Sequence, residues 1–382
     1  MLYFDHAATS FPKPVAVGEA MQRAVVEFGA NPGRGGHQLS QKAADIVEKA
    51  RTKVASLFGA PSSKHIWFYP NATYALNQAI LGFPFNEKDE VVTTHFEHNS
   101  VLRPLHHVKN QYDLTICSAG GKTGAKTAQE VISFMTNKTS LVVINHASNV
   151  TGEIIPLEGI AKRAKEVNAV LLVDASQTAG IVNIELVRDG IDMIACPGHK
   201  GLLGPQGTGI LAVKDDYQLK PLTHGGTGHF SELPYQPEQW PERYEAGTLN
   251  TPGLAGLIEG INELESIGGL QAIYEHENKL LHYFTERLNK IQAVTLFGSE
   301  KSTNKVAVLS FTIAGISSQE VAIILDQHYL IAVRSGLHCA PKLHEWYGTL
   351  SEGLIRVSFG PYTTMEDVEQ LAMAIEEIAE AF

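Results

Sequence analysis

The sequence predicts an α/β protein: a mainly parallel sheet covered by helices on both faces, joined to a smaller α+β lobe. Two observations carry this. Between about residues 60 and 215, short apolar runs alternate with helical patterns: "HIWFY", "DEVVTTH", "LTICSA", "SLVVINHAS", "AVLLVDAS", "IDMIACP" and "GTGILAVK". Strands buried on both faces lose the polar–apolar alternation and read as such runs. Further on, "KVAVLSFTIAG", "LIAVRSG" and "LIRVSFG" surround one helical stretch, "SSQEVAIILDQHYL", which predicts the second lobe.

Taken in order, two early helices around residues 13–29 and 39–58 flank "GANPGRGGHQLS", a Gly-rich turn able to bring backbone close to a ligand. "FYPNATYALNQAI" reads as strand, turn and a helix opening at about Ala72–Thr73. After the last apolar run, residues from about 215 to 250 are rich in Gly, Pro and aromatics without a sustained period. A loop this long inside a compact protein is usually functional. "TPGLAGLIEGINELESIGG" resumes helix and is expected to bridge the lobes. The closing helix has Thr364 as N-cap with Asp367 three residues on, and Val368, Leu371, Ile375 and Ile378 share a face.

Composition limits the function. With 382 residues, 44% hydrophobic and 19% charged, the chain matches an ordinary globular protein too long for one simple core. A net charge of -11 without a Lys/Arg-dense stretch argues against nucleic acid or an anionic membrane as partner. No apolar run approaches the roughly 20 residues of a membrane span, and "MLYFDHAATS" lacks a signal-peptide layout, so a cytoplasmic protein is expected. Cys117, Cys196 and Cys339 are scattered and odd in number, which favours free thiols, one of them chemical. No H-E-x-x-H or similar ligand spacing occurs among the 16 His, and no metal is expected.

The residues that carry chemistry stand where strands end. At "NAT" the opening of a helix offers unpaired N–H groups and a positive dipole end, a phosphate cradle or simply a capped helix. Asp174 ends a buried run with Gln177 three residues later; it either caps a helix or pairs with a protonated ring nitrogen. Lys200, in "CPGHKGLLGPQGTG", is either a solvated charge or an amine of depressed pKa able to form a Schiff base. His98, after another strand, either packs locally or lies flat on a planar cofactor. In this order the set is what pyridoxal phosphate (PLP) requires: an anion hole, a carboxylate for the pyridinium nitrogen and an amine for the aldehyde.

"FDHAATSFPKP", "NATYALN", "EHNSVLRPL", "SNVTGEI", "VDASQ", "GHKGLLGPQG", "YEAGTLNT" and "RSGLHCAP" together resemble successive motifs of the class V aminotransferase-fold cysteine desulfurases, in the branch of the Suf-type enzymes and selenocysteine lyases. The resemblance runs from residue 4 to about 360. It implies PLP fold type I, with a large cofactor-binding domain over residues 15–255 and a small domain combining 1–14 with 256–382. It further implies that Lys200 carries the cofactor, Asp174 pairs with its ring nitrogen and His98 stacks on the ring. Asn149 and Gln177 face the phenolic oxygen side, while Ala72, Thr73 and His199 hold the phosphate. Thr248 matches the residue that reaches the partner subunit's phosphate, which implies a homodimer with shared sites. Arg356 matches the clamp for the substrate carboxylate and Cys339 the sulfur-accepting nucleophile, with Arg334 and His338 beside it.

Two positions depart from that pattern. Leu337 stands where the related branch has a first His, leaving any proton role to His338. Pro197 stands where relatives have a Ser donor, and it cannot donate from side chain or backbone. The implied reaction converts L-cysteine to L-alanine, with the sulfur held on Cys339 as a persulfide for an acceptor protein. The alternatives are a selenocysteine lyase, another class V β-lyase or aminotransferase, or a PLP-fold assembly module without activity. Cys117 and Cys196 lie in strand patterns and read as small buried hydrophobes.

Overall fold

The computed structural model describes residues 1–33, 36–298 and 304–382; Arg34 and Gly35 of the Gly-rich turn lie outside them. The elements run β1 (Leu2–Tyr3), α1 (Val15–Phe28), α2 (Gln38–Leu57), β2 (Ile66–Tyr69), α3 (Ala72–Leu81), β3 (Glu90–Thr94), α4 (Asn99–Tyr112) and β4 (Thr115–Ala119). There follow α5 (Gly124–Phe134), β5 (Thr139–Asn145), α6 (Glu158–Val167), β6 (Val170–Asp174), β7 (Met193–Pro197) and β8 (Gly209–Val213). After an irregular stretch come α7 (Thr251–Ser266), α8 (Gly269–Leu288), β9 (Val294–Phe297), β10 (Val308–Ile313) and α9 (Ser318–Tyr329). The chain continues through β11 (Ile331–Ala332), β12 (Arg334–Gly336), α10 (Pro341–Tyr347), β13 (Leu354–Ser358) and α11 (Met365–Ala381).

All seven apolar runs form one sheet in the order β2-β8-β7-β6-β5-β3-β4. Only β8 runs against its neighbours; the other described pairings are parallel. Two apolar clusters cover its faces, one with Val142, Ile144 and Val173, the other with Leu141, Val143 and Leu172. Alternate residues of one strand thus feed opposite layers, and both faces are dry. The strands end along one edge, and the turns after β2, β3, β5, β6 and β7 all open there, where an open α/β sheet offers its ligand crevice.

A four-stranded antiparallel sheet, β12-β13-β10-β9, forms the second lobe around Phe284, Phe311, Ile355 and Ile375. The closing helix α11 carries the expected capping box of Thr364 and Asp367. One expectation is corrected: α7 does not bridge the lobes but packs on α1 and α2 within the larger one. The bridge is α8, whose Ile273 joins the large core while Leu280, Phe284 and Leu288 join the small one.

The first residues fasten the two lobes together. Strand β1 pairs with β11, and Asp5 bridges to Ser358 at the end of β13. The irregular stretch between β8 and α7 is pinned by a buried bidentate pair, Arg51 with Glu245, whose carboxylate also accepts the Phe68 N–H of β2. Among the described residues, no helix is long and apolar enough to cross a membrane.

Candidate active site

At the sheet's open edge lies a cavity of about 170 Å3, lined by Ala72, Thr73, His98, Asn149, Asp174, Gln177, His199 and Lys200, with Asn71, Ser100, Asn145, Ser176 and Pro197 between them. Its first corner is the start of α3. Asn71 caps the helix by accepting the Tyr74 N–H at 3.2 Å, so the N–H groups of Ala72 and Thr73 remain available to an anion. The close fit depends on Gly209, because a Cβ there would lie 2.3 Å from the Asn71 carbonyl carbon. Thr73 Oγ1 shares a 2.8 Å hydrogen bond with Ser100 Oγ, which in turn lies 2.9 Å from His98 Nδ1. His98 is the N-cap of α4: its Nδ1 accepts the Ser100 N–H at 3.0 Å, and burial pushes its pKa down to about 4. The ring is therefore neutral and its orientation fixed.

The anionic corner is Asp174, 2% exposed, whose Oδ1 accepts from Ser176 N at 2.9 Å and Ser176 Oγ at 2.5 Å. Opposite stands Lys200. Burial, reinforced by Arg356 and Arg334 and opposed by Asp174, lowers its pKa to about 8, so about a tenth of the amine is free base at pH 7, far more than for an exposed lysine. Its turn is held from outside. The His199 carbonyl accepts from Ser10 N at 3.0 Å, Thr9 Oγ1 at 3.0 Å and Lys13 Nζ at 2.6 Å, and Ser10 Oγ donates to the Lys200 carbonyl at 3.0 Å. Gln177 is turned by its bond to the Ala7 carbonyl at 3.0 Å.

Cys339, His338, Arg334 and Arg356 do not line the cavity; they are tied to its rim. The Ala340 N–H donates to the Leu337 carbonyl at 2.9 Å across His338 at φ 49° and Cys339 at φ 58°, a tight turn with both central residues left-handed. Two bonds dock the turn: Asn99 N, in the first turn of α4, donates to the Cys339 carbonyl at 2.8 Å, and Asn149 Nδ2 donates to the His338 carbonyl at 2.7 Å. The Asn149 carbonyl also accepts from Arg356 Nη1 at 3.1 Å. Arg356, 2% exposed, pairs through Nη2 with Asp5 Oδ1 at 2.6 Å, and faces the exposed Arg334 across the β12–β13 ladder.

His338 is buried. Its Nε2 donates to the Leu354 carbonyl at 3.0 Å, and burial drives its pKa down to about 2, so it lends no positive charge to a neighbouring thiolate. Burial raises the pKa of both Cys117 and Cys196, which disfavours thiolate at either. Thr248 is exposed and is not part of the cavity's lining; it stands in an outer groove beside Asn31 and Gly33. Sequence reasoning missed Ser100, Asn99 and Asp5. Ser100 had a signal in its place two residues after His98, where a hydroxyl closes a local turn. Asn99 acts through backbone and had none.

The residues present fit pyridoxal phosphate. The donor corner at α3, the fixed carboxylate, the neutral ring of His98 and the amine surround one cavity, and the buried Asn149 Oδ1 and His199 Nδ1 have no partner among the described residues. Fold and site thus define a protein built to hold a phosphorylated, aldehyde-bearing pyridine. The chain belongs to the aminotransferase class V family, whose profile matches residues 2–371. It is 35% identical to a probable cysteine desulfurase of Methanothermobacter thermautotrophicus, over 99% of this chain and 94% of the relative. A probable cysteine desulfurase of Pyrococcus abyssi is 34% identical over 100% and 95%. The apo structure of a cysteine desulfurase from Thermococcus onnurineus superposes with a TM-score of 0.93 at 35% identity, covering 100% of this chain and 95% of that one. A cysteine desulfurase of Escherichia coli gives 0.89 at 27% identity, covering 100% and 95%.

Proposed function

We propose that the chain is a PLP-dependent cysteine desulfurase that converts L-cysteine to L-alanine and receives the sulfur on Cys339. The observation that carries the reading is the docking of the Cys339 turn onto the two residues, Asn99 and Asn149, that border the Lys200 cavity. Bound in that cavity, PLP supplies an aldehyde for an amine and a ring that accepts electron density from the substrate's Cα. Ala72, Thr73 and His199 hold its phosphate, His98 covers its ring, Asp174 keeps its nitrogen protonated, and Asn149 and Gln177 border its hydroxyl.

Arg356 pairs with the substrate carboxylate, a contact that fixes Cα against Lys200. The Lys200 amine, once free, takes the Cα proton. The Cys339 thiolate attacks the substrate sulfur: an S–S bond forms, the C–S bond breaks, and its electron pair stays with the carbon that becomes the methyl group of alanine. In sum, L-cysteine and the Cys339 thiol give L-alanine and a Cys339 persulfide. Exposed Thr248 and its groove fit a second copy of the chain that shares the site, the persulfide is passed to an acceptor protein, and the enzyme works in the cytoplasm. The division into a large and a small domain belongs to the same reading, with the first boundary at residue 14 and the second after α7 rather than at residue 255, because α7 packs on α1 and α2.

The test is incubation of the PLP-loaded protein with L-cysteine. Alanine and, with reductant, sulfide should appear in equal amounts, and mass spectrometry should find one added sulfur on the Cys339 peptide. Cys339→Ala should bind L-cysteine without releasing alanine. Full activity in that variant, or added sulfur on Cys117 or Cys196, sinks the reading; retained action on selenocysteine alone would mark a selenocysteine lyase.

A further inference from the structure

Arg356 is held by more than the sheet it stands on. Of the five N–H groups of its guanidinium, one donates to Asp5 Oδ1 at 2.6 Å and one to the Asn149 carbonyl at 3.1 Å, while Nε is buried without a partner among the described residues. Asp5 itself is over-determined. Its carbonyl accepts from Ala8 N at 3.0 Å, Thr9 N at 3.3 Å and Tyr3 Oη at 3.1 Å, and its backbone bridges to Ser358. A carboxylate set on so fixed a backbone presents one geometry to the guanidinium.

The charges around it are uneven. Arg334 lies directly across the ladder from Arg356, so two cations share one end of the sheet. Asp5 is the carboxylate that bonds Arg356. Without it the Asn149 carbonyl would remain as the described acceptor on one edge only, and a substrate carboxylate would have to complete the ordering of the guanidinium on arrival.

We propose that Asp5 is the positioning residue for the substrate's α-carboxylate: it fixes one edge of the Arg356 guanidinium so that the remaining N–H groups meet the carboxylate already oriented. The proposal rests on the reading of Arg356 as the carboxylate clamp. It makes Asp5 a determinant of binding for carboxylate-bearing amines alone, not a participant in bond breaking.

The test uses PLP-loaded protein carrying Cys339→Ala, so that ligands bind without turnover. L-cysteine is compared by absorbance titration with 2-aminoethanethiol, the same molecule without its carboxylate. Asp5→Asn, isosteric and uncharged, should weaken L-cysteine on the order of tenfold and leave 2-aminoethanethiol within about twofold. With Cys339 present, KM for L-cysteine should rise while kcat is kept. Unchanged or tighter binding of L-cysteine, or an equal loss for both ligands, overturns the proposal. If Asp5→Asn is not recovered folded, Asp5→Glu is measured by the same ratio, which a lengthened carboxylate should also lower. Arg356→Ala separates the two levels. If that variant still prefers L-cysteine as the parent does, the clamp reading falls. If it loses the preference while Asp5→Asn keeps it, only the proposal for Asp5 falls.

Discussion

Lys200 shows how position converts an ordinary residue into a reactive one. Burial against two arginines, only partly offset by Asp174, brings its amine down to about 8, against about 10.4 for an exposed lysine. Only the free base condenses with an aldehyde. Capture of PLP by cofactor-free protein should therefore accelerate about tenfold per pH unit below about pH 8 and level off above it. Stopped-flow absorbance would follow this. A rate still climbing tenfold between about pH 9 and 10 would show an unperturbed lysine. Lys200→Ala should capture nothing, and borohydride should fix no cofactor to any other lysine. The identity of this residue was legible from its setting among glycines at a strand end. Its depressed pKa stood there only as one of two readings, since the burial that chiefly lowers it, and the lesser push from Arg356 and Arg334 far along the chain, arise only through the fold.

Among the elements, the turn from Leu337 to Ala340 departs most from backbone preference. Neither His338 nor Cys339 is a residue that favours the left-handed region, where each costs roughly 1–2 kcal/mol, so the turn keeps its shape through its tethers. Asn149→Ala removes the side-chain bond to the His338 carbonyl and leaves the Asn99 N–H and the bond of His338 Nε2 to the Leu354 carbonyl. The turn should then open more often, and iodoacetamide should alkylate Cys339 several-fold faster than in the parent, read by peptide mass spectrometry at fixed pH. An unchanged rate would mean that the Asn99 and Leu354 contacts hold the turn without Asn149. Elements with a dry side on each face were readable in sequence; β9 was not, because its residues are half-exposed and carry no period. Two-residue β1 was likewise invisible, being a strand only by virtue of β11.

At the scale of the molecule, burial of ionisable groups sets a pH window. Burial lowers His6, His98, His146 and His199 to about 4 and His338 to about 2. The folded chain refuses protons the unfolded one takes, so stability falls as pH drops below about 6.5. Glu97 and Glu277 are raised by burial to about 8. Between about pH 4.5 and 8 the folded state holds protons the unfolded state has lost, so stability falls as pH rises through that range. The two slopes meet near about pH 6.5, where the thermal midpoint of the cofactor-free protein should peak. Glu97→Gln with Glu277→Gln should flatten the decline from about pH 6.5 to 8 and steepen the fall on the acid side down to about pH 4.5, where the two carboxyls had opposed it. A midpoint already flat over that interval in the parent would contradict it.

The strap formed by the first residues has a consequence in time. Asp5 and Arg356 are 351 positions apart, so on a ribosome adding about 5–20 residues per second, Asp5 waits on the order of 20–70 s for its partner. The turn of Lys200 is made well before then, and its clamp from Thr9, Ser10 and Lys13 needs a strap whose other anchor, in β13, is translated near the end. A nascent chain displaying every motif of the cavity still lacks the far anchor of that strap, so competence for the cofactor is expected to arrive late in synthesis.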